Sequence, residues 1–148
     1  MSYTNTSILE AHVKMQASYC LGFIFNSTLD TVYLIQKLRP EWQYGKLNGI
    51  GGKIHNNENS LKAMIREAKE EVNYEGNWMP CGFIAFDIIK CDVFYSIMKD
   101  NDIVQAMTDE LIYPILIQDL KYMQDQLVDQ VYDIVCLILR FIHLIKGR

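Results

Sequence analysis

Glu67, Glu70 and Glu71 stand at i, i+3 and i+4 of a stretch with helical periodicity, so they share one side of a helix. Like charges at that spacing repel. The arrangement becomes favourable when hard divalent cations sit among the carboxylates. Just ahead, Asn48 to Lys53 reads NGIGGK. Glycines there let the backbone approach a phosphate or a metal, because no Cβ intervenes. The polar run His55–Asn59 follows, and either Asn59 or Ser60 is a good helix cap. Leu61, Ile65, Ala68 and Val72 recur at helical spacing, with Met64 beside them. They predict the buried stripe, with the acids on the opposite side. The other reading of the same residues is an acidic helix that merely faces solvent.

The full run GKIHNNENSLKAMIREAKEEVNY, Gly52 to Tyr74, separates these readings. It resembles the signature of the Nudix hydrolase family, GX5EX7REUXEEXGU, where U is a bulky aliphatic residue. Gly52, Glu58, Arg66, Glu67, Glu70 and Glu71 all match. Asn73 replaces the motif glycine, Tyr74 takes the last aliphatic place, and Ala68 fills the first. Asparagine tolerates the left-handed conformation that often ends a helix, so the first change is mild.

The resemblance implies that Glu67, Glu70 and Glu71 ligate Mg2+, with the Gly52 carbonyl contributing and Mn2+ able to substitute. It implies that Glu70 or Glu71 acts as, or orients, the base for an attacking water, and that Arg66 and Glu58 position the acidic helix. A later carboxylate often completes such a site. In Thr108–Tyr113 (TDELIY) that is Glu110 first and Asp109 second, and the alternative is a charged turn. The implied activity is cleavage of the pyrophosphate link of a nucleoside diphosphate attached to another group.

Leu47 to Lys53 (LNGIGGK) resembles the WNGFGGK stretch of the oxidised-purine nucleoside triphosphatases, the MutT-like group. By that resemblance Asn48 reads the base, or else ties its loop, and Lys53 closes a substrate-binding stretch. Asp125, in Tyr122–Asp125, is the nearest counterpart of an acidic pair that those enzymes carry. Trp42 either stacks on a base or covers the edge of the core. His55 is a phosphate contact or a solvated loop residue. The proline typical of ADP-ribose hydrolases is absent, since none lies between Pro80 and Pro114, and coenzyme A and NADH signatures are missing. A modified or surplus nucleoside triphosphate is therefore the first expectation. ADP-ribose, a dinucleotide polyphosphate or a nucleotide sugar is the alternative, and a non-catalytic nucleotide sensor is a reading of another class.

The chain that must position these residues has 148 residues, half of them hydrophobic and 22% charged, with a net charge of -4. One domain over 1–148 is expected, with 1–17 a loose arm or edge strand. A weakly acidic protein offers no general attraction to nucleic acid polymers or anionic membranes. A polyphosphate substrate then needs local neutralisation. None of Cys20, Cys81, Cys91 and Cys136 lies in a CxxC pair, so no zinc site is expected. The N-terminal residues lack the pattern of a signal peptide, and a cytoplasmic location is expected.

Strands are predicted over Tyr19–Phe25 and Thr31–Gln36 as a hairpin, over Trp78–Met98 with a break near Lys90, and over Ile112–Ile117. A helix spans Ser60 to about Val72, and another runs from about Tyr122 to Lys146. The second is apolar all round, so burial on more than one side is expected, in the core or along a homodimer seam. The fold expected is α+β, a Nudix-type α/β/α sandwich with a mixed sheet, a signature loop-helix and a long apolar C-terminal helix.

Overall fold

The computed structural model describes residues 17–147, so most of the arm expected over 1–17, including His12, lies outside the described residues. Alternation decides the sheet. In β1 (Ala17–Phe25), Phe23 and Phe25 join the core on one face while Cys20 and Ile24 join the core on the other. Both faces are covered, which is why the strand reads as an almost unbroken apolar run. After the Asn26–Asp30 turn, β2 (Thr31–Gln36) returns antiparallel, as the hairpin reading predicted.

The glycine-rich stretch forms β3 (Leu47–Asn48) and β4 (Ile50–Lys53), followed by helix α1 (Ser60–Val72). β5 (Met79–Phe86) and β6 (Ile89–Ile97) make the second hairpin, and β7 (Ile112–Leu116) pairs with β2. The sheet order is β3-β2-β1-β6-β5, with β4 antiparallel to the first half of β1. β1 and β6 run parallel from Ala17↔Ile89 to Phe25↔Ile97, which makes the sheet mixed. Helix α1 covers one face, and helix α2 (Val131–Lys146) covers the other through Val131, Val135, Ile138 and Ile142. The result is the expected α/β/α sandwich. No helix among the described residues is long and apolar enough to cross a membrane.

Two expectations need correction. The last helix starts at Val131 rather than near Tyr122, after the short 3-10 turns Ile117–Tyr122 and Gln124–Gln126. Leu127 bridges to Leu47, the Val128 N–H donates to the Leu47 carbonyl at 2.9 Å, and Gln130 is left-handed at φ 74°. A segment tied sideways to a strand cannot also close helical turns. The buried stripe of α1 is also rotated. Ala63, Met64, Ala68 and Val72 are the buried residues, whereas Leu61 and Ile65 are 42% and 47% exposed. Glu67 and Glu71 therefore flank the buried face instead of standing opposite it.

The signature's departures are each accommodated. The Asn59 side chain accepts from the Lys62 N–H at 2.9 Å and starts α1. Asn73 ends it in the left-handed conformation, φ 52°, with its N–H donating to the Lys69 carbonyl at 3.1 Å. Tyr74 is buried, edge-on to Trp78 at 5.9 Å, and its hydroxyl meets Ser96 Oγ at 2.7 Å. Asn73→Ala should lower stability by about 1 kcal/mol, because a Cβ without the asparagine amide strains a left-handed residue, while Asn73→Gly should be neutral or stabilising. Urea unfolding midpoints check both, and equal midpoints for alanine and glycine would contradict the account.

Candidate active site

The site forms where α1 lies across β4. β4 is held against β1 with Gly51 opposite Leu21 and Gly52 opposite Cys20. A Cβ on Gly51 would collide with the Cys20 carbonyl, so only glycine lets these backbones approach this closely. A Cβ on Gly52 would lie 2.5 Å from Glu67 Oε1. The two glycines thus make the cradle into which the helix lowers its carboxylates. Glu71 Oε2 accepts the Gly51 N–H at 3.2 Å. Burial, and then the charge of Glu67, push the Glu71 carboxyl up to about 8, although Lys37 and the Gly51 N–H pull the other way.

Arg66 holds this helix to its loop. Its guanidinium donates to Glu58 at 2.7 to 3.2 Å, to Glu67 at 3.0 Å, to Glu70 at 3.3 Å and to the Lys53 carbonyl at 3.1 Å. Those bonds from Arg66, joined by the His55 N–H at 2.9 Å, hold Glu58 at about 2, far below the ordinary carboxylate range. The structure thus brings together Glu58 and Arg66, the two residues that the resemblance named as a support for the helix. His55 is exposed and serves through its backbone, which fits the loop reading. Glu70 is the most open of the three acids, its side chain 58% exposed against 13% for Glu67. As they stand, no three acidic, histidine or cysteine side chains among the described residues converge tightly enough to hold an ion. Arg66 still occupies one oxygen each of Glu67 and Glu70.

Glu110 is also brought to this end of the sheet, but its carboxylate has partners of its own. It accepts Lys37 Nζ at 3.1 Å and the Leu38 N–H at 2.7 Å, and it is only 6% exposed. Burial would raise its pKa, yet the Leu38 and Lys37 bonds outweigh that and hold it below the ordinary value. Asp109 forms a bidentate exposed pair with Arg39, at 3.2 and 2.7 Å. The connection between β6 and β7 sets this position. Its Gln105 and Met107 N–H groups donate to the Val72 and Glu71 carbonyls at the end of α1. Lys37 and Arg39 were not expected from the sequence. The usable signal was a lysine directly after a predicted strand that leads into the glycine loop.

Asn48 Nδ2 donates to Gln43 Oε1 at 3.2 Å, and its Oδ1 accepts the Gly49 N–H at 2.7 Å. Trp42, on the 3-10 turn Glu41–Gln43, is 64% exposed and so does not cover the core. Lys53 is exposed at the end of β4, with its carbonyl on Arg66. Asp125 is exposed on a turn that the Leu47–Leu127 bridge brings alongside β3. Asn48, Trp42 and Asp125 therefore lie beside β3, whereas Lys53 ends β4, next to the acids.

No protein-family model matches the chain, and no curated protein matches it. Solved structures do. A Nudix-family hydrolase from Clostridium perfringens superposes with a TM-score of 0.69 at 19% identity, over 85% of this chain and 97% of that one. The MutT protein of Methanosarcina mazei Go1 does so at 0.69 and 17% identity, over 84% and 94%. A bifunctional NMN adenylyltransferase/ADP ribose pyrophosphatase from Francisella tularensis, complexed with AMP and a manganese ion, matches at 0.70 and 16% identity. That match covers 92% of this chain and 44% of the larger one. The chain has the Nudix fold.

The raised carboxyl of Glu71 gives a pH signature. Its folded value of about 8 exceeds the ordinary 4.5, so the metal-free native state holds a proton that the unfolded chain has released. That contribution to stability is full below about pH 4.5 and is lost as pH rises through 8. In chelator, Glu71→Gln should therefore leave the melting temperature little changed near pH 4.5 and raise it increasingly towards pH 8. Parallel melting curves across that range would show that Glu71 is not a strained buried carboxyl.

Proposed function

We propose that this chain is a magnesium-dependent pyrophosphohydrolase acting on a nucleoside diphosphate linked to another group. The observation that carries the reading is the carboxylate pair Glu67 and Glu71, lowered into a glycine cradle with too little protein charge to neutralise it. Hard carboxylate oxygens beside a glycine backbone suit a hard divalent cation. Gly52, Glu67, Glu70 and Glu71 would hold it, and Glu110 would join only by leaving Lys37. When bound, the ion supplies neutralisation of phosphate oxygens and a lowered pKa for water. Arg66 and Glu58 fix the loop that carries Lys53, and Glu70, the more open acid, is placed to orient water or take its proton. The location expected from the sequence, cytoplasmic, and the single domain over 1–148 accompany this reading.

Within that class, we favour a nucleoside triphosphate with a modified or surplus base. Support comes from the LNGIGGK stretch, from the amide of Asn48 at the β3 edge and from the bare indole of Trp42 beside Gln43. Lys53, exposed at the end of β4, would meet the phosphates, and Asp125 lies on a turn beside β3. A second reading, hydrolysis of ADP-ribose, draws on the likeness to the Francisella tularensis protein, whose name includes ADP ribose pyrophosphatase.

Turnover should vanish in chelator and return with magnesium or manganese, measured by product chromatography on a nucleotide panel. Glu71→Gln should fold but lose a factor of about 100 or more, the usual effect of removing one electrostatic stabiliser. Full activity without metal, or near-normal turnover by Glu71→Gln, would overturn the mechanism.

Asn48→Ala distinguishes the substrate readings. If the amide exchanges Gln43 for a base edge, one nucleobase should be penalised about tenfold more than the others, since an unpaired buried hydrogen bond costs roughly 1–3 kcal/mol. A common slowing of every nucleotide would make Asn48 a loop brace and favour the ADP-ribose reading.

A further inference from the structure

Helix α2 has a second side that nothing among the described residues covers. Val131, Val135, Ile138 and Ile142 face the sheet, but Leu137 and Leu144 are 66% and 63% exposed. Phe141 and Ile145 extend the open surface. Isolated exposed leucines are ordinary, whereas a continuous apolar stripe on a helix marks a contact surface. At 3.6 residues per turn, Asp133, Leu137, Arg140 and Leu144 fall within an arc of about 60°. Beside Leu137, a groove opens between α2 and the edge strand β5, floored by Cys81, Ile84 and Val93 and walled by Ile138 and Phe141.

The two charges on this stripe indicate what covers it. Asp133 and Arg140 make no ion pair with any described residue, although both are exposed. They lie two turns apart, on either side of Leu137. We propose that this face is the interface of a homodimer in which two copies of α2 pack antiparallel about a twofold axis beside Leu137, each Asp133 meeting the partner's Arg140. A twofold interface requires a self-complementary patch. An acid and a base placed symmetrically about a leucine on one helix face meet that requirement, and the groove along β5 receives an apolar side chain from the other copy.

The proposal concerns a surface distinct from the acidic helix and does not depend on the reading of the site. Sedimentation velocity on the whole chain, from micromolar to near-millimolar concentration, should show a monomer–dimer equilibrium. The pair Leu137→Lys with Leu144→Lys should abolish it while leaving the far-ultraviolet circular dichroism unchanged. Asp133→Arg alone and Arg140→Asp alone should each weaken dimerisation about tenfold or more, and the two together should restore it to within a few-fold. If the lysine variant fails to fold, the charge exchange still decides. A monomer at every concentration, a dimer indifferent to the leucines, or an exchange that does not restore association would each overturn the proposal. A monomer that sediments with phosphatidylcholine vesicles would assign the face to lipid and overturn it as well.

Discussion

The molecule is organised around a carboxyl group that it buries without bonding it to a cation. Glu71 lies between the end of α1, the Gly51 amide and the charges of Glu67 and Glu110. The strongest cation nearby, Arg66, bonds to Glu58, Glu67 and Glu70 and not to Glu71. An ionised carboxylate there is costly, so the metal-free protein keeps Glu71 protonated up to about pH 8. A protein keeps such a feature where an external charge completes it, and local strain of this kind tends to mark a functional site.

The surrounding elements can be understood as what this constraint demands. β4 must come close to β1, so its residues opposite Cys20 and Leu21 are glycines. The acidic helix must sit low on the sheet, and Ala63, Ala68 and Gly22 supply the small side chains that permit it. Met64 and Trp78 fill the space that a Cβ on Gly22 would occupy. The loop before the helix must not drift, and Arg66 ties Glu58 and the Lys53 carbonyl to the helix in one planar fork. On the far side of Glu71, the β6–β7 connection delivers Glu110 and is locked by the Lys37 and Arg39 pairs. One wall of the site is thus a rigid helix on a sheet, and the other is a segment held by ion pairs that substrate charge could exchange.

The loop and helix that carry the acids were legible in the sequence because they are local. The spacing of Arg66, Glu67, Glu70 and Glu71 is set by the period of the helix, and Glu58 meets Arg66 as the resemblance implied. The bounds of α1 followed from its caps, and Asn73 took the left-handed place expected of the motif glycine. The sheet's hairpins were legible for the same reason, since turn residues and alternation are written within a few positions.

What required tertiary structure is whatever depends on which face meets what. The apolar stripe of α1 read as Leu61, Ile65, Ala68 and Val72, yet the sheet took Ala63 and Met64 with Ala68 and Val72 and left Leu61 and Ile65 outside, because packing against β1 and β4 favours the side that can approach closely. That rotation moved Glu67 and Glu71 from solvent to the cradle, and no periodicity within the helix records it. Lys37 reaches Glu110 across a separation of 73 residues, which only the pairing of β2 with β7 brings together. The start of α2 was likewise decided from outside, by Leu127 and Val128 joining β3. Sequence alone determines the acids, their spacing and the loop that precedes them. The fold decides which acids are buried, which cation each one meets and which side of the last helix stays open, because burial belongs to pairs of surfaces rather than to either one.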